Sequence, residues 1–405
     1  MTRRKTLEAL TSLAAISLLL TACGSSTSSG DQSDGAQSAG GGEGPQVDAT
    51  AFTADFSVMK QLTDLAAQGD GLIGVLLPDT TTSTRYVQYD EPYLTQAFEA
   101  AGLSSDQFKI DNADGSAATM QTQAEADINA GASVLLVDPL DAGSGAAIEA
   151  QAEAAGVAVI DYDRLVTGGP EDRYYVSFDN VKVGELMGQG LTQCIDDWNV
   201  SDPNVLIMDG DPTDNNATLF NQGYMSVLQP LFDDGTYTKA GEPAGTWDPD
   251  EASTTFQQQL TAHPDMNAAI TPNDDNANAV ISILKGNGVD PKTFPTTGQD
   301  ASLPGLQNIL TGYQCGTVYK PIYLEAQAAA ALAIYLRAGV TPPDTLVNDT
   351  TTDTTLDADI PSVYVTPIWV TTDNMADTVV ADQTVTVDDL CSGDVASACD
   401  AAGIS

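Results

Sequence analysis

Polar side chains able to hydrogen-bond in more than one direction recur in this chain directly after short apolar runs. The groups are Pro78-Asp79-Thr80, Asp138-Pro139, Asp161-Tyr162-Asp163-Arg164, Asp209-Gly210-Asp211, Asn273-Asp274-Asp275, Gln299-Asp300 and Tyr319-Lys320-Pro321. A carboxylate accepts from two hydroxyls and a guanidinium donates to two, so such groups suit a neutral molecule edged with hydroxyls. Sugars fit that description, and their apolar ring faces also call for an aromatic plate. Other chemistries lack their parts. The chain has 1 histidine, His263, in a His-Pro-Asp turn, and its cysteines show no metal-ligand spacing, so a zinc site has almost nothing to draw on. Asp209-Gly210-Asp211 begins like a calcium loop, but Thr213 and Phe220 stand at its fifth and twelfth positions, the latter where a glutamate is needed. The adjacent pairs Asp274-Asp275 and Asp388-Asp389 oppose no second carboxylate across a glycosidic bond. An acyl-transfer triad has neither its serine motif nor its histidine. The residues therefore point to binding without catalysis, metal or cofactor.

The elements that position these groups alternate in type. Strand-like runs cover Leu72 to Leu77, Phe108 to Asp111, Ser133 to Val137, Val157 to Asp161, Tyr174 to Phe178, Val205 to Met208, Ala268 to Thr271 and Gly316 to Tyr319. Between them lie stretches of helical composition, among them Tyr93 to Ala101, Ala117 to Ala130, Gly143 to Ala155 and Ala252 to Ala262. The alternation predicts a parallel α/β protein. So many strands exceed what one core usually supports, so two doubly wound parallel-sheet lobes are expected. In such folds ligands bind outside the carboxyl ends of the strands, where the polar groups stand.

The first residues join a basic start, Arg3-Arg4-Lys5, to an apolar stretch from Leu7 to Leu20, the pattern of a secretion signal over residues 1–22. Residues 23–50, dominated by Gly, Ser, Asp, Gln and Ala, read as a flexible tether. No later segment is long and apolar enough to span a bilayer. The formal net charge is -43, which repels nucleic acid and anionic lipid and leaves neutral ligands open. Beyond Cys23 four cysteines remain, Cys194, Cys315, Cys391 and Cys399. In an oxidising compartment they are disulfide candidates, and sequence alone allows three connectivities for four cysteines.

Leu20-Thr21-Ala22-Cys23 resembles the lipobox of bacterial lipoproteins, which implies acylation of Cys23 and attachment to the cell membrane. Further along, Tyr162-Asp163-Arg164-Leu165, Val176-Ser177-Phe178-Asp179-Asn180, Val183-Gly184-Glu185-Leu186, Asp214-Asn215-Asn216-Ala217, Gly298-Gln299-Asp300-Ala301 and Val318-Tyr319-Lys320-Pro321 resemble the D-xylose-binding proteins. These have the type I periplasmic binding fold, and the segment Thr246-Trp247-Asp248-Pro249 is also similar to relatives that bind several monosaccharides. The resemblance runs from about Leu72 to about Val370 and implies sugar contacts at Arg85, Asp163, Arg164, Asp214, Asn216, Trp247, Asn273, Asp300 and Lys320. Tyr86 stands where that family has a tryptophan, and is taken as the aromatic plate. The resemblance also implies an N-terminal lobe of residues 70–176 plus 321–365 and a C-terminal lobe of residues 177–320 plus 366–405. The chain would cross between them near Ser177, Lys320 and Pro367. On this reading a monomer captures a xylose-like aldose, glucose or another monosaccharide, and delivers it to the permease subunits of an ABC importer by lobe closure. A sensor presenting sugar to a membrane receptor is the alternative, and an extracellular carbohydrate-active enzyme a second.

Overall fold

The computed structural model describes residues 44–80 and 82–404; the signal segment, Cys23 and the tether as far as residue 43 lie outside them. The first half runs α1 (Thr63–Ala66), β1 (Leu72–Leu77), α2 (Glu91–Ala100), β2 (Phe108–Asn112), α3 (Ala117–Asn129), β3 (Ala132–Val137), α4 (Ala142–Ala155), β4 (Ala158–Tyr162) and β5 (Tyr174–Phe178). Next come α5 (Asn180–Asp197), β6 (Asn204–Ile207), α6 (Asn215–Asp233), β7 (Thr238–Gly241), α7 (Pro249–Ala262), β8 (Ala268–Ile270), α8 (Asp274–Gly286), α9 (Leu303–Leu310) and β9 (Thr317–Tyr319). The chain ends with α10 (Ile322–Arg337), β10 (Asp349–Asp353), β11 (Ala358–Val365), β12 (Ile368–Val370), α11 (Val387–Leu390) and α12 (Ala396–Ala402).

Seven strands form one sheet in the order β10-β11-β5-β4-β3-β1-β2, parallel except for the β10–β11 pair. Strands buried on both faces are near-continuously apolar, as in the Leu-Ile-Gly-Val-Leu-Leu of β1. Helix α10 is buried on nearly all sides and lies against α2, β3, β4 and β5; its Ala328–Ala331 run lets it come close. The second sheet starts with β7-β6-β8. Parallel bridges from Ala269 to Thr296 and from Gln299 to Val318 continue it through residues 296–299 to β9, against which β12 runs antiparallel. Both sheets thus repeat one doubly wound order, in which the first strand lies between the second and the third. That order reverses direction beside its first strand, where ligand sites open.

The chain passes between the two sheets three times: after β5, after β9 at Lys320-Pro321, and between β11 and β12. Two disulfides join Cys194 to Cys315 and Cys391 to Cys399. The first ties the end of α5 to the entry of β9, and the second closes the C-terminal cap. One boundary needs correcting. The segment read as tether up to residue 50 is already packed at Val47 and Ala49, 1% and 4% exposed. Ala49 N donates to Thr345 O at 3.0 Å and Thr345 Oγ1 to Val47 O at 2.7 Å. Gly/Ser-rich composition ends before these residues, and burying the apolar side chains of Val47 and Ala49 docks the segment.

Candidate functional site

Much of the polarity after the strands serves the helices that follow. Asp141, Asp179, Asp248 and Ser302 accept backbone N–H bonds as N-caps, satisfying donors that a helix start leaves free. Asp214 and Asn273 cap α6 and α8 in the same way and also face a cavity. That cavity is small and lies between the carboxyl ends of the two sheets, the place where ligands bind in such folds. All of Arg85, Tyr86, Asp163, Arg164, Asp214, Asn216, Trp247, Asn273, Asp300 and Lys320 line it. Ser83, Phe220 and Gln299 line it too. Gln299 was visible as a strand-end residue; Ser83 and Phe220 carried no sequence signal.

Asp163 is the centre of the arrangement. It follows β4 with φ 58°, in the left-handed region that Asp tolerates better than most residues. Arg85 Nη1 donates to its Oδ1 at 2.8 Å and the Tyr86 hydroxyl to its Oδ2 at 3.1 Å. Lys320 Nζ stands 3.8 Å from Oδ1. Its carbonyl accepts from Ser177 Oγ at 2.8 Å, Asn216 Nδ2 at 2.9 Å and Tyr175 OH at 3.0 Å, so the turn is held from both sheets. Burial by itself would raise the Asp163 carboxyl. Arg85 foremost, then Lys320 and Arg164, outweigh it and hold the group at about 2.

Arg85 is itself fixed from behind. Asp90 receives its Nε at 3.0 Å and its Nη2 at 2.7 Å, and Glu325 accepts Nη2 at 3.0 Å. A single π-helical turn over Tyr86–Asp90 brings Asp90 back to the guanidinium. Nothing in the sequence pattern marks Glu325, which projects from the buried helix α10. Tyr86 lies between two cations, its ring centroid 5.2 Å from Arg85 Cζ and 5.6 Å from Arg164 Cζ, a cation–π arrangement that fixes the plate.

Arg164 does not pair with its neighbour Asp163. It reaches across to Asp214 Oδ2 at 3.2 Å, with Asp138 Oδ1 at 3.5 Å beneath it and its Nη1 donating to Pro139 O at 3.2 Å. Burial raises the Asp138 carboxyl well above the usual range against the opposing charge of Arg164. Asp214 is fully engaged, its Oδ1 accepting from Asn216 N at 2.9 Å and its Oδ2 from Trp247 Nε1 at 3.1 Å. Trp247 stands edge-on to Phe220, with centroids 6.4 Å apart, in the loop before α7, half-buried and presenting its ring to the cavity.

The second sheet brings the remaining carboxylate. Asp300 also has a positive φ, 86°, a conformation that costs energy and is retained where surrounding bonds impose it. Asp300 N donates to Val318 O at 2.9 Å, and Lys320 Nζ lies 3.1 Å from Asp300 Oδ1, off the hydrogen-bonding direction. Behind it Asp274 accepts Ser302 N and Gln314 Nε2, both at 2.8 Å. Burial foremost, with the charge of Asp300 adding, pushes Asp274 up to about 8. At the rim, Thr84 N and Oγ1 donate to Asp275 Oδ2 at 3.1 and 3.3 Å, joining the loop after β1 to the start of α8.

The cavity thus carries Arg85, Arg164 and Lys320 against Asp163, Asp214 and Asp300. A balanced set of this kind can bind a neutral, hydroxyl-bearing molecule from both sides.

A family profile described as a periplasmic binding protein domain matches residues 73–340. The D-xylose-binding periplasmic protein of Escherichia coli is 37% identical over 275 residues, covering 67% of this chain and 80% of that protein. A multiple sugar-binding periplasmic protein of Azospirillum brasilense is 31% identical over 329 residues, 78% of this chain and 89% of its own. Among solved structures, a carbohydrate transporter solute binding protein from Chloroflexus aurantiacus in complex with D-glucose superposes with a TM-score of 0.70 at 28% identity, covering 79% of this chain and 98% of that one.

Proposed function

Because the chain belongs to the periplasmic binding protein domain family, we propose that it is the lipid-anchored capture subunit of an ABC importer for a monosaccharide, a xylose-like aldose or glucose. One observation carries this reading: ten side chains with sugar-binding chemistry, contributed by both sheets, surround one small charge-balanced cavity. The relatives named above bind xylose, several sugars and glucose, which supports an aldose over other polyols.

In this reading Arg85, Tyr86, Asp163 and Arg164 hold the sugar from an N-terminal lobe of residues 70–176 plus 321–365. Asp214, Asn216, Trp247, Asn273 and Asp300 hold it from a C-terminal lobe of residues 177–320 plus 366–405, with Lys320 at a crossing between them. Contacts made to both lobes are complete only when the lobes are closed, so sugar shifts the population to the closed form. The permease subunits recognise that form. Acylation of Cys23 keeps the protein beside them.

The test is a thermal-shift screen of the mature chain against pentoses and hexoses. A true ligand at saturating concentration raises the melting temperature by mass action; no response to any monosaccharide overturns the reading. Co-purification of permease subunits, as opposed to a receptor kinase, separates transport from sensing. Release of a Cys23→Ser variant from the membrane fraction tests the anchor.

A further inference from the structure

A second cleft lies toward the opposite end of strand β9 from the cavity, at the entry to that strand. Helix α5 starts at Asn180, whose Nδ2 bonds Asn216 Oδ1 beside the cavity at 3.0 Å. At about 1.5 Å of rise per residue, Gly190 and Trp198 are carried about 15 and about 27 Å away. There the end of α5, the entry to β9 and the exit from β12 line an open cleft that is larger than the cavity. Two of the chain's 3 tryptophans, Trp198 and Trp369, line it. Around them stand Gln189, Gln193, Asp197 and Asp373, with Lys292 as the single cation of the lining.

The floor is built. A Cβ on Gly190 would come within 2.2 Å of the Trp369 ring and one on Gly316 within 2.5 Å, so two glycines on separate elements leave room for that ring. The disulfide between Cys194 and Cys315 locks together the two segments that carry them. Gln193 Nε2 donates to Asp197 Oδ1 at 3.0 Å, which orders the rim. Both tryptophans are only half-buried.

From this geometry we infer a second carbohydrate site, for a neutral oligosaccharide. The composition is that of a sugar site, aromatic rings edged by carboxamides and carboxylates. Two half-buried aromatic side chains along one open cleft suit a chain longer than a single sugar. A strongly acidic chain with two carboxylates at the rim disfavours an anionic polymer. Such a site would hold the protein on the polymer whose hydrolysis must supply free monosaccharide. It leaves the sugar cavity open and does not depend on what that cavity takes.

The test is calorimetry of the mature chain with xylohexaose and cellohexaose, in wild type and in Trp198→Ala, Gln193→Ala and Asp163→Ala variants. Either hexasaccharide should bind wild type and Asp163→Ala alike, at least ten-fold more weakly in Trp198→Ala and several-fold more weakly in Gln193→Ala. Melting temperatures of the two outer-cleft variants should match wild type, which separates a lost site from a lost fold. Absence of binding at millimolar concentration, or binding abolished by Asp163→Ala, would sink the inference. So would a concentration-dependent dimer by sedimentation that Trp198→Ala disrupts, since a second copy would then cover the cleft.

Discussion

Asp161 and Asp163 stand two residues apart at the end of one strand and belong to different kinds of charge cluster. Asp163 faces the cavity, among cations drawn from the loop after β1, its own strand end and the crossing at Lys320. Asp161 turns into the first lobe. There Arg173, wholly buried, has its Nε 3.0 Å from Asp161 Oδ2 and 3.6 Å from Glu149 Oε2, and its Nη2 2.9 Å from Asp353 Oδ2. Its Nη2 also donates to Val166 O and its Nη1 to Pro170 O. Gly168 N donates to Asp353 Oδ2 at 2.8 Å, so this cluster clamps the loop after β4 to the β10–β11 hairpin. Identical residue types thus line a cavity in one place and anchor a loop in the other. Access to the cavity and contact with the second sheet make the difference.

Removing each cluster's key member should separate the two roles. Arg173→Met leaves three carboxylates around an apolar side chain and should cost about 3–5 kcal/mol of stability, the range for breaking a buried ion pair. Chemical denaturation measures it, and sugar affinity in the folded fraction should stay within two-fold. Asp163→Ala, which unpairs buried Arg85, should add a loss of recognition to a loss of stability. It should weaken sugar binding by about 1–3 kcal/mol or more by calorimetry, because sugar hydroxyls lose their acceptor. Unchanged affinity there and in Asp300→Ala would break the comparison at its root. Thr84→Val removes only the hydroxyl bond to Asp275 at the rim and should cost about 0.5–1.5 kcal/mol of affinity, the worth of one hydrogen bond.

The smallest effect, at acid pH, concerns Glu149, whose carboxyl is raised well above the usual range by burial and by Asp161 beside it. A raised acid contributes stability that is complete below its unfolded pKa and is lost as pH rises through the folded value. Glu149→Gln should therefore be close to neutral at pH 4 and should flatten the loss of stability toward alkaline pH. Asp163 has the opposite sign. Held at about 2, it contributes stability present above the usual carboxylate range and lost as pH falls toward 2. Melting curves from pH 3 to pH 9 check both; an unchanged alkaline limb in Glu149→Gln would place that titration elsewhere.

Much of this was legible along the chain. Eight strand-like runs coincide with strands to within a residue or so, because each is a short segment rich in apolar or β-branched residues and bounded by polar turns. Strands β7, β10, β11 and β12 were not: Thr-Lys-Ala-Gly and Asp-Thr-Thr-Thr-Asp are polar, Pro361 interrupts β11, and Ile-Trp-Val is only three residues long. Strand-end position and ordered blocks gathered the ten cavity residues. They could not reveal Glu325, which comes from 240 residues beyond Arg85, nor Asp138 as the group beneath Arg164.

The sequence by itself determined the alternation of strand and helix, the polar strand ends and the acidity, because each depends on local pattern or on composition. The tertiary structure alone decided which strand-end carboxylates point into the cavity, which cap helices and which are sealed around Arg173. It also decided that Arg164 pairs with Asp214 in place of its neighbour Asp163. The pairing of Arg164 depends on where a second sheet, fifty residues on in sequence, comes to lie, and electrostatic pairing over a few ångströms is blind to separation along the chain.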